Sequence, residues 1–380
     1  MSSFTEVEGR LSEEDVARES SRCLDCAVCS ECLECVAACG RNAVNHADEP
    51  ERVEVRAGTV VVATGFDTFD PAIAPQWGYG RFDNVITALQ FERLTNASGP
   101  TGGKIVLKDG STPRRVAILH CIGSRDDNYY KHCSRICCMS SVKTAHLVRE
   151  KTRAEVYNFY IDMRTFGKGY EEFWKRVQEE GVHFIRGKGA EVAQKGGALV
   201  VRAEDTLLGV YREIPVDMVI LSPALIPRKD AQDVARLFGL QRSPDGFFLE
   251  AHAKLDPMGT STDGVYVAGA CQGPKDIPDS VAQGAGAAAR ALQYLARGEA
   301  PVSAVIASID EELCGGCKIC LPLCPYAAIS FDEAAKVSRV TEALCKGCGT
   351  CVASCPSGAL HARHFERDQI MAQIERMVAV

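Results

Sequence analysis

The sequence predicts an α/β body built on a parallel sheet, with a cysteine-rich segment before it and a small cysteine-rich α+β module after it. Three observations carry this reading. Strand-like and helix-like stretches alternate from about Arg52 to Arg297, as in chains that cross over between parallel strands. The 19 cysteines are grouped: six lie between Cys23 and Cys39, four between Cys121 and Cys138, eight between Cys314 and Cys355, and Cys271 stands alone. The last group is also an internal repeat. In it, Cys314-x2-Cys317-x2-Cys320-x3-Cys324-Pro325 recurs as Cys345-x2-Cys348-x2-Cys351-x3-Cys355-Pro356.

Taken in order, 12–22 reads as a short polar helix. Val53–Val62 is a Val-rich strand that runs into the turn Ala63-Thr64-Gly65. Residues 66–112, rich in Pro, Gly and Asp, read as connections and short helices. Arg115–Leu119 is a strand, 134–150 a helix, Glu155–Asp162 a strand, Tyr170–Glu180 a helix and Val182–Arg186 a strand. A small hairpin and the buried strand Met218–Leu221 fill 190–221. Strand Gly264–Val267 leads through Ala268-Gly269-Ala270 to an Ala-rich helix at Pro278–Arg297, which has Pro in its first turn. Residues 298–309 read as a linker.

A length of 380 residues suffices for two or three domains, and 46% apolar and 24% charged residues are those of a globular chain. The net charge of −7 argues against a nucleic-acid partner, and anionic clusters would favour a basic docking face on a protein partner. Met1–Ser21 lacks the apolar core of a signal peptide, and no run of ~18 apolar residues predicts a membrane span. Nineteen cysteines in such a chain point to metal in a reducing, cytoplasmic setting rather than to cross-links.

The C-terminal repeat carries the most specific chemistry. An iron–sulfur cluster needs four soft thiolates around a small volume, and in C-x2-C-x2-C-x3-C-P the fourth cysteine serves the other cluster. One cluster therefore takes Cys314, Cys317, Cys320 and Cys355, and the other takes Cys345, Cys348, Cys351 and Cys324. A zinc site would use four ligands in two pairs, without two interleaved sets and their prolines.

In the middle group, strand Arg115–Leu119 ends at His120-Cys121-Ile122-Gly123, and Cys133-x3-Cys137-Cys138 opens the next helix. A nucleotide-binding unit would carry G-x-G-x-x-G at this turn; cysteines stand there instead. A helix N-terminus stabilises anions, so Cys121, Cys133, Cys137 and Cys138 are predicted to hold a thiolate-bound cluster, against the plainer reading of buried structural thiols. His120 and His132 flank these cysteines and are candidates to tune that cluster. At the N-terminus, Cys23, Cys26, Cys29, Cys32, Cys35 and Cys39 exceed one cluster's need and fall short of two. One cluster is predicted, and the choice of four ligands stays open. Cys271 reads as an inert thiol.

Several runs together resemble the A subunits of heterodisulfide reductases and related electron-bifurcating complexes: VATGFDTFD (62–70), NVITALQFERL (84–94), ASGPTGG (97–103), CSRICCM (133–139), FGKGYEEF (166–173) and AGACQGPKDIP (268–278), with the double cysteine motif. The resemblance covers about 23–375. It implies an α/β, thioredoxin-reductase-like flavoprotein body, truncated, with an N-terminal Fe–S segment and a C-terminal two-cluster ferredoxin-like α+β domain. The implied divisions are 1–50 (Fe–S segment), 51–112 and 226–298 (two parts of a flavin-type domain), 113–225 (Rossmann-like, a cluster in place of nucleotide) and 299–380 (ferredoxin-like). It also implies FAD contacts at Ala63, Thr64, Gly65, Asp263, Gly264, Gly269 and Gln283.

One departure matters. The family's Gly-rich turn for the FAD pyrophosphate is not in these residues, and no G-x-G-x-x-G occurs. Either another polypeptide supplies that half, or FAD binds weakly, or the chain works without it. The resulting expectation is an oxidoreductase subunit with about four 4Fe-4S clusters and FAD in the assembled complex. It would relay or bifurcate electrons among other subunits and ferredoxin in anaerobic metabolism. The alternative is a flavin-free polyferredoxin-type carrier. Substrate reduction is expected on another subunit, because Cys137-Cys138 is followed by Met139 and not by the Gly of a Cys-Cys-Gly motif.

Overall fold

The structure is a computed structural model and describes residues 12–21, 36–37, 39–45, 47–97, 99–298 and 304–378. The chain divides into two compact units. The first comprises Met1–Glu54, Phe69–Tyr129 and Ile136–Ala224; the second comprises Val55–Thr68, Tyr130–Arg135 and Leu225–Val380.

The first unit is built on a five-stranded sheet in the order Val85–Thr87, Met218–Pro223, Arg115–Ile122, Glu155–Tyr160, His183–Arg186, parallel throughout. Every residue of Met218–Pro223 is buried, as is all of Arg115–Ile122 beyond its first residue. Parallel strands are covered on both faces, which explains their unbroken apolar runs. Helix Cys137–Thr152 buries Val142, Ala145 and Val148, and helix Tyr170–Glu179 buries Val177, against Val116, Ile118, Val156 and Ile220 of the sheet. Helix Ala88–Thr95 starts at a capping box in which Thr87 accepts from the Gln90 N–H and Gln90 accepts from the Thr87 N–H.

Several expectations change here. Val85–Thr87, read as part of a connecting region and assigned to 51–112, is an edge strand of the sheet formed within 113–225. Strand Arg115–Ile122 runs three residues past Leu119, so His120 and Cys121 lie on it. The small hairpin is a three-stranded antiparallel sheet, Glu191–Lys195, Ala198–Asp205 and Val210–Val216. Its first turn is Gly196-Gly197, with φ of 59° and 86°, the geometry that joins two twisted strands through two residues. The predicted strand Val53–Val62 is extended-chain only at Val60–Val62; Val53 and Val55 are 70% and 77% exposed, with no partner strand among the described residues.

In the second unit, Val60–Val62 pairs in parallel with Val265–Val267, and Val62 and Val267 pack with Ala231, Ala235, Leu240 and Phe248. Helix Ile277–Arg297 is capped by Asp276, which accepts from the Asp279 N–H at 2.9 Å, and it ends at Gly298 with φ 68°. It lays Ala287 and Ala291 on Tyr266 and Ala268. The C-terminal module pairs Ala307–Ile309 with Leu360–Ala362 and Ile329–Asp332 with Val337–Val340, all antiparallel. Two one-turn helices, Cys320–Leu323 and Thr350–Ala353, complete the repeat. Helix Arg367–Val378 follows. Among the described residues no helix is long and apolar enough to cross a membrane.

Gly123 sits just beyond the strand that carries Cys121. Its φ is 75°, and a methyl group there would overlap the ring of buried Phe69, which packs edge-on against Trp77 and Tyr129. Gly123→Ala should therefore cost about 1–3 kcal/mol, read as a lowered midpoint in thermal unfolding. An unchanged midpoint would contradict the close approach of Phe69 to this turn.

Candidate metal centres

The C-terminal module forms two small, partly open cavities. One, of about 20 Å³, is lined by Cys314, Cys317 and Cys320 of the first motif and by Cys355 of the second. The other, also of about 20 Å³, is lined by Cys345, Cys348 and Cys351 of the second motif and by Cys324 of the first. The local cause is the same in both halves. Gly316 and Gly347 take φ of 65° and 61°, turning the loop so that the cysteines on either side point inward. Cys320 and Cys351 lie in the one-turn helices and are buried. Cys324 and Cys355 end those turns, each followed by its proline.

Backbone amides point at the sulfurs: the Ala307 N–H donates to Cys345 and the Ala328 N–H to Cys324, both at 3.3 Å. Burial, and then the negative charges of Cys324, Cys345 and Cys348, push the Cys351 thiol up, which places these four sulfurs within electrostatic reach of one another. A hydrogen bond to the Thr350 hydroxyl lowers Cys348. Burial opposes ionisation of Cys355, but the Ser357 hydroxyl and nearby amides outweigh it and lower that thiol.

A zinc ion would draw four sulfurs to ~2.3 Å from one point. Four thiols ringing one cavity, with amides aimed at sulfur, is the donor set that suits a multi-atom iron–sulfur group.

In the first unit, Cys121 occupies the carboxyl end of strand Arg115–Ile122 with φ 58°, and Cys137 and Cys138 form the first turn of a 16-residue helix with no side-chain cap. All three are buried. Hydrogen bonds shared with Cys137 draw Cys138 down to about 4 and Cys121 down to about 7, and the same bonds push Cys137 well above the usual thiol range. The three sulfurs thus form one hydrogen-bonded group in which Cys137, between the other two, keeps its proton and Cys138 carries the thiolate. Burial opposes charging of His120, but the Cys138 sulfur outweighs it and raises the ring's pKa. His120 Nε2 contacts Asn158 Oδ1 at 2.9 Å. His120 Nδ1, Asn158 Nδ2 and Ser124 Oγ are buried with no hydrogen bond of full geometry. Such orphaned polar atoms beside thiols fit an anionic group that would accept from them. Cys133 lies in the Tyr130–Arg135 segment of the second unit, where the Arg135 N–H donates to its sulfur at 3.3 Å. His132 Nε2 bonds the Leu225 carbonyl at 2.8 Å, so that ring is anchored to backbone.

Of the N-terminal set, Cys39 is described. Its sulfur accepts from the Ala43 N–H at 3.3 Å, and such amides lower its pKa. Cys23, Cys26, Cys29, Cys32 and Cys35 lie outside the described residues. Cys271 is buried, bonding the Val62 and Ala268 carbonyls, and burial pushes its thiol up.

Of the residues carried over as flavin contacts, Ala63, Thr64, Gly65 and Gly269 follow the carboxyl ends of two parallel strands, where α/β sheets take their ligands, while Asp263 and Gly264 lie at the amino end of the second strand. Ala63-Thr64-Gly65 leaves Val60–Val62, with open space around Gly65 (φ 76°). Gly269 (φ 77°) follows Val265–Val267, and its N–H donates to Gln283 Oε1 at 2.7 Å. Gly264 turns the chain into that strand with φ 76°. Asp263 differs, because its carboxylate pairs with Lys346 at 2.7 Å. These residues fit the later half of a dinucleotide site and contain no Gly-rich pyrophosphate turn. Sequence reasoning gave no role to Asn158, Ser124 or Lys346; only the fold brings Asn158 to His120, while Ser124, three residues after Cys121, and Lys346, directly after Cys345, were signals left unused.

The second motif of the C-terminal module offers a direct check on this geometry. Gly347 and Gly349 both have positive φ, but a methyl on Gly347 would overlap the Val305 carbonyl while one on Gly349 would meet open space. Gly349→Ala should cost about 1 kcal/mol, and Gly347→Ala clearly more, compared by thermal unfolding. Equal losses would contradict the tight loop around Cys345 and Cys348.

Residues 313–369 match the family described as a 4Fe-4S dicluster domain. Over 359 residues the chain is 52% identical to the A subunit of the H2:CoB-CoM heterodisulfide,ferredoxin reductase of Methanothermobacter marburgensis, covering 93% of this chain and 53% of that protein. It is 47% identical over 346 residues to the iron-sulfur A subunit of the CoB–CoM heterodisulfide reductase of Methanocaldococcus jannaschii, covering 89% and 53%. The chain spans about half the length of the curated relatives it matches. A thioredoxin reductase from T. acidophilum is similar in structure at 16% identity and a TM-score of 0.42, covering 63% of this chain and 66% of that one. At that level the likeness assigns neither a cofactor nor an activity. Over 93% of its length, the chain is a homologue of the heterodisulfide reductase A subunits.

Proposed function

We propose that this chain is the iron–sulfur electron-transfer part of a heterodisulfide reductase-like oxidoreductase complex. The observation that carries the reading is the pair of crossed cysteine sets, each lining its own void, in a homologue of those A subunits. Cys314, Cys317, Cys320 and Cys355 would hold one 4Fe-4S cluster, and Cys345, Cys348, Cys351 and Cys324 a second. Cys121, Cys133, Cys137 and Cys138 would hold a third, and four of Cys23, Cys26, Cys29, Cys32, Cys35 and Cys39 a fourth. When bound, such clusters accept and release single electrons, and FAD exchanges one or two.

The protein's own contribution is to favour ionised thiols at chosen positions. The Thr350 hydroxyl does so at Cys348, the Ser357 hydroxyl and nearby amides at Cys355, and bonds from Cys137 and His120 at Cys138. His120, itself held by Asn158, supplies a buried polar edge beside Cys138.

For FAD, Ala63, Thr64, Gly65, Gly264, Gly269 and Gln283 would form the part of the site that faces the flavin. Other subunits of the complex and a ferredoxin are the proposed partners, and substrate reduction lies on another subunit. The ferredoxin and the heterodisulfide are named for the relative from Methanothermobacter. Thiolate ligands in this number suit a reducing cytoplasm. The second reading is a flavin-free carrier of the same clusters.

Reductive titration of the anaerobically purified chain tests both readings. Uptake of about four electrons fits four clusters, and about six fits clusters with FAD. No uptake would contradict both. Cys137→Ser should lower the uptake by about one electron and the iron by about four atoms per chain, leaving the C-terminal pair intact. Unchanged iron would remove the middle cluster from the account.

A further inference from the structure

Each C-terminal motif carries a lysine within its loop, Lys318 after Cys317 and Lys346 after Cys345, and each lysine lines the void of its own motif. They are neutralised differently. Lys318 pairs with Glu333 at 2.8 Å and lies 3.9 Å over the Phe331 ring, so its charge is balanced inside the ferredoxin-like module. Lys346 pairs with Asp263 at 2.7 Å, outside that module, on the turn that enters the flavin-type strand Val265–Val267. Lys346 is three-quarters buried, its side chain 24% exposed.

The turn that presents Asp263 is braced. Thr262 Oγ1 donates to the Gly239 carbonyl at 2.8 Å, Ser261 Oγ donates to the same oxygen at 3.3 Å, and Thr260 Oγ1 donates to the Val265 carbonyl at 2.8 Å. Tyr326, which lines the Lys346 void, brings its carbonyl to the same corner, 4.0 Å from where a Gly239 side chain would begin.

We propose that the Asp263–Lys346 ion pair seats the ferredoxin-like module by the side of its second cluster and sets the potential of that cluster. The proposal rests on the cluster reading above. A positive charge beside a cluster favours the reduced, more negative state and so raises the potential, and a carboxylate bonded to that charge cancels much of the effect. Asp263 is then a positioning residue that acts through Lys346, in place of the flavin contact carried over from the family. The cluster of Cys345, Cys348, Cys351 and Cys324 is the one whose potential the flavin-type segment controls; the cluster of Cys314, Cys317, Cys320 and Cys355 is independent of it.

The test is an EPR-monitored redox titration of the iron-loaded full chain as wild type, Asp263→Asn, Lys346→Gln and the double variant. The second-cluster signal is identified as the one lost in Cys348→Ser. Asp263→Asn should shift that signal to higher potential and Lys346→Gln to lower potential, with the double variant between them and the other signals unmoved. If neither single variant moves it, or both move it the same way, or the Cys314 cluster moves instead, the ion pair does not do this and the cluster reading stands. If Cys348→Ser loses no signal and no iron, the cluster reading fails and takes the proposal with it.

Discussion

Thiolates gathered around a small volume repel one another until metal neutralises them, so a chain that is to hold them must first be held by something else. In this protein that role falls to backbone. In the C-terminal module, Gly316 and Gly347 turn their loops through left-handed conformations, so close to the carbonyls of Lys336 and Val305 that a side chain would overlap them. Amides of Ala307 and Ala328 then meet the sulfurs of Cys345 and Cys324. The crossing of Cys324 and Cys355 into the opposite sets ties the two halves together, because neither void is complete without a cysteine from the other motif. The module's small core of Ala307, Cys320, Ile329, Cys351 and Leu360 includes two of these cysteines, so packing and site are one structure.

The same economy operates in the first unit with different means. A parallel sheet offers its ligand position at the carboxyl ends of the strands, beside the next helix N-terminus. Cys121 occupies that strand end and Cys137 and Cys138 that helix start. Three buried, hydrogen-bonded sulfurs lie there with the orphaned polar atoms of His120, Asn158 and Ser124 close by in the same unit. In the second unit, the carboxyl ends of Val60–Val62 and Val265–Val267 lead into Gly65 and Gly269, both in left-handed turns.

How far this was legible beforehand depended on whether the signal was local. The two crossed sets could be read from spacing alone, since a C-x2-C-x2-C-x3-C-P run forces its last cysteine away from the first three. Strand Arg115–Leu119 and helix 134–150 were legible from apolar run and periodicity, but not their limits: the strand carries on through His120 and Cys121 because those polar residues are buried too. Val85–Thr87 was missed as a strand because it is short and lies among Gly, Asp and Pro, and its pairing with Met218–Pro223 is a contact across more than a hundred residues. Val53–Val62 looked like a longer strand than it is, since valine content reports preference for an extended chain and not the presence of a neighbour. Asp263 looked like a flavin contact by family position, and only the folded module brings Lys346 to it.

Iron and flavin per chain, measured on protein purified anaerobically with whatever accompanies it, test the account most directly. The account predicts about sixteen irons in four clusters and one FAD in the assembled complex. Iron near zero with bound zinc would contradict it.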